Sequence, residues 1–241
     1  MPEEVSLVGL RERLAREGFV FAPAGAMRPL LGADSLADRD AFAASWNDLV
    51  LDEHLPEGHR YRRRRHATLS APPGEAMFRI EPHRPHYQGL EYNPLVGGIE
   101  RWFQPIRPDV LSGPTFRRVV EFCLALFGPL QARAGWHIEC HQFRIEARSD
   151  AAGQPTPEGV HRDGVDYVLV LLVARHNIES GTTTVHAPDG ALLGSFTLTT
   201  PFDAALVDDE RVKHGVTPVR PIDPREPAYR DVLVVTLRAA G

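Results

Sequence analysis

The second half of the chain is a series of short segments that alternate or are apolar throughout, each bounded by turn-forming residues. The predicted strands are His137 to Ala147, Val165 to Ala174, Thr182 to His186, Leu192 to Thr199, Val212 to Val219 and Tyr229 to Arg238. The second of these is apolar at almost every position, as expected for a strand buried on both faces. Pro188-Asp189-Gly190 has the composition of a hairpin turn. Such a series predicts a β-sandwich or jelly roll.

The first half is predicted to be mainly helical. Leu7, Leu10 and Leu14 have helical spacing, Gly18 ends that helix, and Phe19 to Phe21 forms a short strand. A second helix is expected from about Leu36 to Leu51, with Ser35 as its N-cap. A third is expected between Gly113 and Gly128.

Residues 71 to 114 are rich in proline and glycine, which favours loops over long elements. A long irregular region inside a compact domain is often functional, so we expect a lid over a binding pocket. The sequence as a whole predicts one α+β domain over residues 1–241. Residues 1–135 would form its mainly helical and loop part, and residues 136–241 its metal-binding jelly-roll core.

Composition excludes some classes of function. The 241 residues are 43% hydrophobic, enough for a substantial core, and the formal net charge is −5. An acidic balance argues against nucleic acid or an anionic membrane as partner, so the Arg62 to Arg65 run is expected to be a solvated strand or to meet an internal acidic partner. No apolar stretch is long enough to cross a bilayer and no signal peptide is evident.

The two cysteines, Cys123 and Cys140, do not form a disulfide framework. Both occur in apolar segments, and we interpret them as free thiols of a protein in the reducing cytoplasm. The sequence gives no indication of the oligomeric state.

Three residues form the pattern of a metal site. His161 and Asp163 are one residue apart, so in extended backbone both point to the same face. His214 lies on a later predicted strand, and a jelly roll can bring the two segments together. Two histidines and one carboxylate form the facial triad of non-haem iron, which leaves metal positions open. A His-x-Asp pair alone is common in a chain with eleven histidines, so the strand context and the later histidine carry this interpretation.

Arg230 lies 16 positions after His214, on what we expect to be the neighbouring strand. It shares one strand face with Val232, Val234 and Thr236. An arginine at the end of an apolar face suits a buried carboxylate, which its guanidinium binds in bidentate fashion. The alternative is an ordinary ion pair with Asp231. Arg238 has the same parity and competes for the role.

Other charged and histidine residues are less specific. His83, His86, His137 and His141 offer further imidazoles, and the last two are expected in the core or behind the metal ligands. No glycine-rich phosphate loop, Gly-x-Ser-x-Gly motif or Cys-x-x-Cys motif is present.

Several stretches of the second half resemble the small bacterial 2-oxoglutarate/Fe(II) dioxygenases typified by L-isoleucine hydroxylases. The resemblance extends from about residue 80 to the end. It rests on 142–147 (Gln-Phe-Arg-Ile-Glu-Ala), 155–164 (Pro-Thr-Pro-Glu-Gly-Val-His-Arg-Asp-Gly), 175–178, 208–209, 214–218 (His-Gly-Val-Thr-Pro) and 229–234. Characterised members hydroxylate free aliphatic L-amino acids or oxidise a thioether, and others are named for biofilm and stress phenotypes.

The resemblance implies a double-stranded β-helix in which His161, Asp163 and His214 bind Fe(II). It also implies O2 and 2-oxoglutarate as cosubstrates, and hydroxylation of a small substrate, a free aliphatic L-amino acid. Arg230 would bind the distal carboxylate of 2-oxoglutarate with Thr236 assisting. Arg144 and Glu158 have the charges needed for the carboxylate and the amine of an amino acid.

Two alternatives stay open. One is a non-catalytic metal-binding jelly roll that acts in a stress or biofilm response and needs no oxoacid site. The other is a Zn or Mn enzyme of the cupin type with a different chemistry, which has no need of Arg230.

Overall fold

The computed structural model describes residues 6–32, 36–55, 61–131 and 135–240. Its α-helices are α1 (Leu7–Glu17), α2 (Ala24–Leu31), α3 (Arg39–Ala44), α4 (Pro108–Ser112) and α5 (Pro114–Phe127). Its strands are β1 (Phe19–Ala22), β2 (Val50–Leu51), β3 (Arg62–Ala71), β4 (Arg79–Ile80), β5 (Gly135–Ala147), β6 (Tyr167–His176), β7 (Ile178–Ser180), β8 (Thr182–His186), β9 (Leu192–Thr197), β10 (Ala204–Asp208), β11 (Lys213–Val216), β12 (Val219–Pro221) and β13 (Ala228–Ala240).

One large antiparallel sheet organises the molecule. Its strand order is β1-β10-β6-β13-β5-β3-β2, and β4 pairs with the outer part of β3. Two small sheets, β11-β8-β9 and β12-β7, accompany it. The long strands β5, β6 and β13 are central, and β13 pairs with both of the others. This is the jelly-roll architecture expected from the sequence.

The two faces of the large sheet have different neighbours. On one face, α1, α2, α3 and α5 pack on alternate residues of the strands, such as Leu169, Leu171 and Leu233. On the other face, Val168 of β6 packs with Val185 of β8. Apolar residues are therefore needed on both sides of β6, which explains its uninterrupted hydrophobic sequence.

Two of the predicted helices are confirmed. Helix α1 ends at Gly18, whose φ of 79° is left-handed and whose N–H donates to Leu14 O. Helix α5 begins with Pro114 and passes into a 3-10 turn at Gly128. The prediction from Leu36 to Leu51 was too long, because α3 covers only Arg39–Ala44 before a 3-10 turn and β2. Its proposed cap, Ser35, lies outside the described residues.

Some elements were missed. Helix α2 contains Pro29, a residue that argues against a helix interior. Strand β3 begins with four arginines and so lacks an apolar alternation, and the short strands β7 and β10 were also overlooked. The segment predicted from Val212 to Val219 is divided between β11 and β12. The large sheet thus takes strands β1 to β4 from the part predicted to be mainly helix and loop.

The arginine run at the start of β3 faces an internal acidic partner. Arg62 is buried and forms an ion pair with the buried Asp52 at 2.7 Å. Arg64 is buried on the same face, and Arg63 points the other way, where it meets Glu146 at 2.6 Å. The nucleic-acid interpretation has no support in this arrangement. In the described part of the chain no helix is long and apolar enough to span a membrane.

Candidate active site

A cavity of about 510 Å³ lies between the large sheet, strand β11 and the loop that carries His161 and Asp163. Alternate residues of β5, β6 and β13 form one wall, and residues 84–93 with Arg101 form another. The predicted metal residues His161, Asp163 and His214 line it. The part of the large sheet that lines the cavity also has an apolar surface, formed by Val168, Val170, Val232 and Val234.

His161, Asp163 and His214 come together as predicted. The Nε2 atoms of His161 and His214 lie 3.6 and 3.5 Å from the two carboxylate oxygens of Asp163. The two histidines are paired by backbone hydrogen bonds of 2.9 Å in both directions, so their segments lie side by side. Nδ1 of His161 lies 3.1 Å from Gly159 O, which leaves Nε2 free to face the cavity. The donor set and its spacing fit an octahedral metal with open positions.

The electrostatics of this triad also favour a cation. Burial lowers the pKa of His161, but the carboxylates of Asp163 and Glu158 outweigh it and raise that pKa to about 9. Burial and the charge of His161 lower the pKa of His214 to about 4. Burial opposes ionisation of Asp163, yet both histidines hold its pKa down at about 2. The carboxylates that hold a proton on His161 can equally attract a divalent ion, which would replace that proton.

Asp209 fixes the backbone that carries the triad. Its side chain is fully buried, and its carboxylate accepts hydrogen bonds from the N–H groups of Asp163, Gly164 and Val165 at 3.0, 2.8 and 3.3 Å. Arg162 points away from the cavity and donates to Asp209 O. The loop therefore has little freedom to move the side chains of His161 and Asp163.

Arg230 is a buried cation that faces the cavity without a described partner. The residue is 2% exposed, and its Nε and Nη2 atoms have no hydrogen bond within the described ranges. Burial and the nearby Arg175 lower its pKa to about 10, so it remains charged at neutral pH. A buried, unpaired guanidinium fits a carboxylate that comes with a ligand.

The predicted face of β13 is confirmed, but its position in the fold is not. Arg230, Val232, Val234 and Thr236 all line the cavity. However, β13 is not the strand beside β11, because β11 belongs to the small sheet and β13 to the large one. Arg230 therefore faces the triad from the opposite wall. The competitor Arg238 also borders the cavity but is exposed to solvent.

The two predicted substrate residues differ in outcome. The structure does not bring Arg144 to the cavity, because strand alternation turns its side chain to the other face of β5. It forms two hydrogen bonds of 2.7 Å with Asp231, its cross-strand neighbour, and lies over Tyr229. Glu158 does line the cavity, and its Oε1 is 3.3 Å from His161 Nε2.

A second polar cluster lies in the same cavity and was not predicted. We call it the arginine–histidine cluster, and it consists of Arg64 and His66 on β3, His86 and Arg101 from the loop region, and Glu139 and His141 on β5. His86 Nδ1 is 2.7 Å from Glu139 Oε2, and Arg64 Nη2 is 2.7 Å from His141 Nδ1. His141 was expected in the core or behind the ligands. It is buried, but it belongs to this cluster.

The sequence pattern could have indicated the four cluster residues that lie on strands, but not the two that lie in the loop region. Glu139 and His141 share one parity on a predicted strand, as do Arg64 and His66 on the strand that was missed. His86 and Arg101 come from a region without periodicity. Their backbones pair with each other at 2.9 Å in both directions, and Gln104 and Ile106 pair with His66 of β3, which brings this loop to the strands.

Comparison with known proteins agrees with this geometry. The family model described as 2OG-Fe dioxygenase matches residues 43–236. The chain therefore belongs to the 2OG-Fe dioxygenases, enzymes that use Fe(II), 2-oxoglutarate and O2.

Individual relatives are similar over most of the chain. The 3(1)-hydroxy-L-isoleucine 4-dioxygenase of Pantoea ananatis (strain AJ13355) is 26% identical over 93% of each chain. The crystal structure of a bsmA homologue from Methylobium petroleophilum PM1 is 36% identical, with a TM-score of 0.89 over 100% of this chain and 96% of that one. The Fe(II)/(alpha)ketoglutarate-dependent dioxygenase TqaL shares the fold, with 24% identity and a TM-score of 0.75 over 96% and 86%.

Proposed function

We propose that the protein hydroxylates an unactivated C–H bond of a free aliphatic L-amino acid. One O2 and one 2-oxoglutarate would be consumed for each turnover, giving the hydroxylated substrate, succinate and CO2. The observation that carries the proposal is a cavity lined both by a His-Asp-His triad and by Arg230, whose buried Nε and Nη2 have no hydrogen-bond partner among the described residues, with apolar surface between the two. The amino-acid substrate class is supported by the Pantoea ananatis relative, which is named for such a substrate.

Each site residue has a role in this proposal. His161, Asp163 and His214 would hold Fe(II), which supplies the activation of O2 when it is bound. Arg230 would pair with the distal carboxylate of 2-oxoglutarate. The help expected from Thr236 is not possible in this fold, because Thr236 lies further along the extended strand β13, about 20 Å from Arg230 at roughly 3.3 Å per residue. Glu158, beside His161, would remain a candidate for contact with the substrate.

The valine wall supplies the remaining requirement. Val168, Val170, Val232 and Val234 give the cavity a dry surface between the charged groups. An aliphatic side chain gains free energy on burial against such a surface, at about 25 cal/mol for each Å² removed from water. The wall also excludes water from the reacting carbon.

The alternatives from the sequence are less well supported. A non-catalytic jelly roll or a cupin of another chemistry does not need an unpaired buried arginine opposite its metal ligands. We further infer a single functional domain. We also infer a cytoplasmic location, because Cys123 and Cys140 are free and buried, as thiols of a reducing compartment are.

The proposal is tested by succinate release. Purified protein with Fe(II), 2-oxoglutarate and O2 is incubated with each free L-amino acid in turn, and succinate and product masses are measured. An aliphatic amino acid should stimulate succinate formation and gain one oxygen atom. A panel in which no free amino acid raises succinate above the background, while another substrate class does, would reject the substrate assignment.

A further inference from the structure

The arginine–histidine cluster has no role in the metal site, although it shares the cavity with it. Arg64, Glu139, His86, His141 and Arg101 line the cavity, and His66 lies behind them with no exposed surface. The loop region links the cluster to the triad, because Gln88 accepts from Arg101 and donates to Asp163 O at 3.1 Å. One small molecule in the cavity could therefore contact both the cluster and the triad.

Among the described residues, neither arginine of the cluster has a carboxylate within close hydrogen-bonding distance. Arg101 is 1% exposed and its only described side-chain hydrogen bond is a long one of 3.4 Å to Gln88. Arg64 is 3% exposed, and the nearest described carboxylate is Asp52 at 3.6 Å, which pairs more closely with Arg62. A buried guanidinium without a close carboxylate partner favours the binding of a ligand that carries a carboxylate.

Arg64 is also held in a fixed orientation. Its guanidinium lies 3.5 Å from the ring centre of Phe103 and 4.5 Å from that of Phe143. A cation held by two rings and by His141 loses little further freedom when a ligand binds.

Glu139 supplies the opposite charge. Burial opposes its ionisation, but the imidazoles around it, His137, His66 and His86, hold its pKa well below the usual range. Burial in turn lowers the pKa of His86 to about 4 and lowers that of His66, so both are neutral at pH 7. The carboxylate of Glu139 borders the cavity, keeps its negative charge and has no cationic partner in His66 or His86.

A second metal ion is the competing interpretation, because three imidazoles and a carboxylate have ligand atoms within 4.8 Å of one another. Arg64 can only donate, so Nδ1 of His141 accepts its hydrogen bond and the proton of a neutral ring must be on Nε2. His141 then has no free lone pair for a metal. Arg62, Arg64 and Arg101 already exceed Asp52 and Glu139 by one charge, and a divalent cation would increase that excess.

We propose that the arginine–histidine cluster binds the charged head group of an α-amino-acid substrate. Arg101 and Arg64 would bind its carboxylate and Glu139 its ammonium group, and the valine wall would direct its side chain toward the triad. A zwitterion adds no net charge to the cluster, and it offers a carboxylate to the two guanidiniums and an ammonium group to Glu139. The inference rests on the proposed function for the choice of substrate, and it assigns to these residues the role that Arg144 cannot fill.

The test is anaerobic calorimetry on the protein loaded with Fe(II) and 2-oxoglutarate. Three probes are used: L-isoleucine, L-isoleucinamide, which lacks the carboxylate, and 3-methylpentanoate, which lacks the amine. Wild-type protein should bind L-isoleucine at least about tenfold more tightly than either analogue, because each analogue leaves a buried charge unpaired.

Two variants should lose this discrimination selectively. Arg101→Gln should bind L-isoleucine and L-isoleucinamide about equally, and Glu139→Gln should bind L-isoleucine and 3-methylpentanoate about equally. Each comparison is made within one protein, so a folding defect, which weakens all probes alike, cannot imitate it. Arg101→Lys should restore part of the preference for the carboxylate.

Matched controls exist on the other face of the same strands. Arg63 and Glu146 form a half-exposed pair on β3 and β5, outside the cavity. Arg63→Gln and Glu146→Gln should bind all three probes as the wild type does.

Several outcomes would overturn the inference. One is wild-type discrimination in both the Arg101→Gln and the Glu139→Gln proteins, and another is no binding of any probe. A third is a second equivalent of Mn(II) bound by the wild type and lost in Glu139→Gln and His86→Ala, which would establish the metal site instead. If the expected binding pattern is found but aerobic incubation yields no hydroxylated product, the head-group site stands and the proposed function fails.

Discussion

A buried arginine that faces a cavity without a partner is costly to the folded protein, and within the described part of the chain the Nε and Nη2 atoms of Arg230 have no partner. Its replacement by alanine should raise the KM for 2-oxoglutarate roughly a hundredfold or more while iron still binds. The reason is that loss of one partner of a buried charge pair costs about 3–5 kcal/mol, and about 1.4 kcal/mol corresponds to tenfold. Steady-state kinetics with varied 2-oxoglutarate measures it.

Arg238→Ala is the matched control, because Arg238 lies on the same face of the same strand but is exposed to solvent. Its KM for 2-oxoglutarate should change little, since an exposed charge is well solvated. A larger effect at Arg238 than at Arg230 would show that the distal carboxylate lies at the other end of β13.

The triad gives a second prediction at the level of single residues. His161→Ala, Asp163→Ala and His214→Ala should each abolish iron-dependent turnover, because each would remove one of the three ligands proposed for Fe(II). Equilibrium dialysis of Fe(II) under anaerobic conditions, together with succinate formation, measures both consequences.

His186→Ala is the control for the triad, since His186 lies near the Asp189 turn and is not among the residues that line the cavity. Full Fe(II) affinity and turnover in His214→Ala would remove that residue from the ligand set.

At the level of elements, the irregular region from 71 to 114 supplies part of the cavity lining, through residues between 84 and 93 and through Arg101. Its residues Gln88 and Tyr92 reach the metal-binding loop, where Gln88 donates to Asp163 O and Tyr92 lies against Gly164. Backbone hydrogen bonds tie the two ends of the region to β3, through β4 and Glu81 at one end and through the bonds of Gln104 and Ile106 to His66 at the other. Between these ends, the described backbone hydrogen bonds of residues 82–103 stay within the region. Such a region is expected to order when ligands bind.

Hydrogen exchange tests this expectation. Peptides that cover residues 84–103 should gain protection when 2-oxoglutarate and substrate are added together, because His86 and Arg101 would then contact the ligand. The β8–β9 hairpin, away from this cover, should exchange at the same rate in both states. Equal protection of residues 84–103 with and without ligands would remove the lid interpretation.

At the level of the whole molecule, buried neutral histidines couple stability to pH. Burial lowers the pKa of His86 to about 4, against an ordinary value near 6.5 in the unfolded chain. Between these values the unfolded chain binds a proton that the folded chain does not. The free energy of unfolding should therefore be complete above pH 6.5 and should fall as the pH falls toward 4.

The expected loss from His86 at pH 5 is about 2 kcal/mol relative to neutral pH, from about 1.4 kcal/mol for each pH unit. Urea denaturation at pH 7 and pH 5 measures it. A His86→Gln protein should lose less stability over this interval than the wild type, because its side chain takes up no proton. An identical loss in both proteins would show that His86 is not the group responsible.

The sequence alone determined the parts of this protein that depend on short-range geometry. His161 and Asp163 are two residues apart in extended backbone, so their side chains must share a face whatever the fold. The same alternation predicted that Arg230, Val232, Val234 and Thr236 line one surface, and the structure confirms it. Helix α1 and its terminal glycine likewise follow from local propensity and capping.

Only the tertiary structure decided which of these faces meet. The same alternation turns Arg144 outward to Asp231, yet the sequence could not show which face of β5 is the inner one. It also could not place β13 in the sheet opposite β11. The arginine–histidine cluster joins β3, β5 and an irregular loop, residues up to 77 positions apart. Such contacts depend on the order of the strands in the sheet and on the path of the loops that connect them. The local sequence pattern does not specify either, because many topologies bury the same alternating segments equally well.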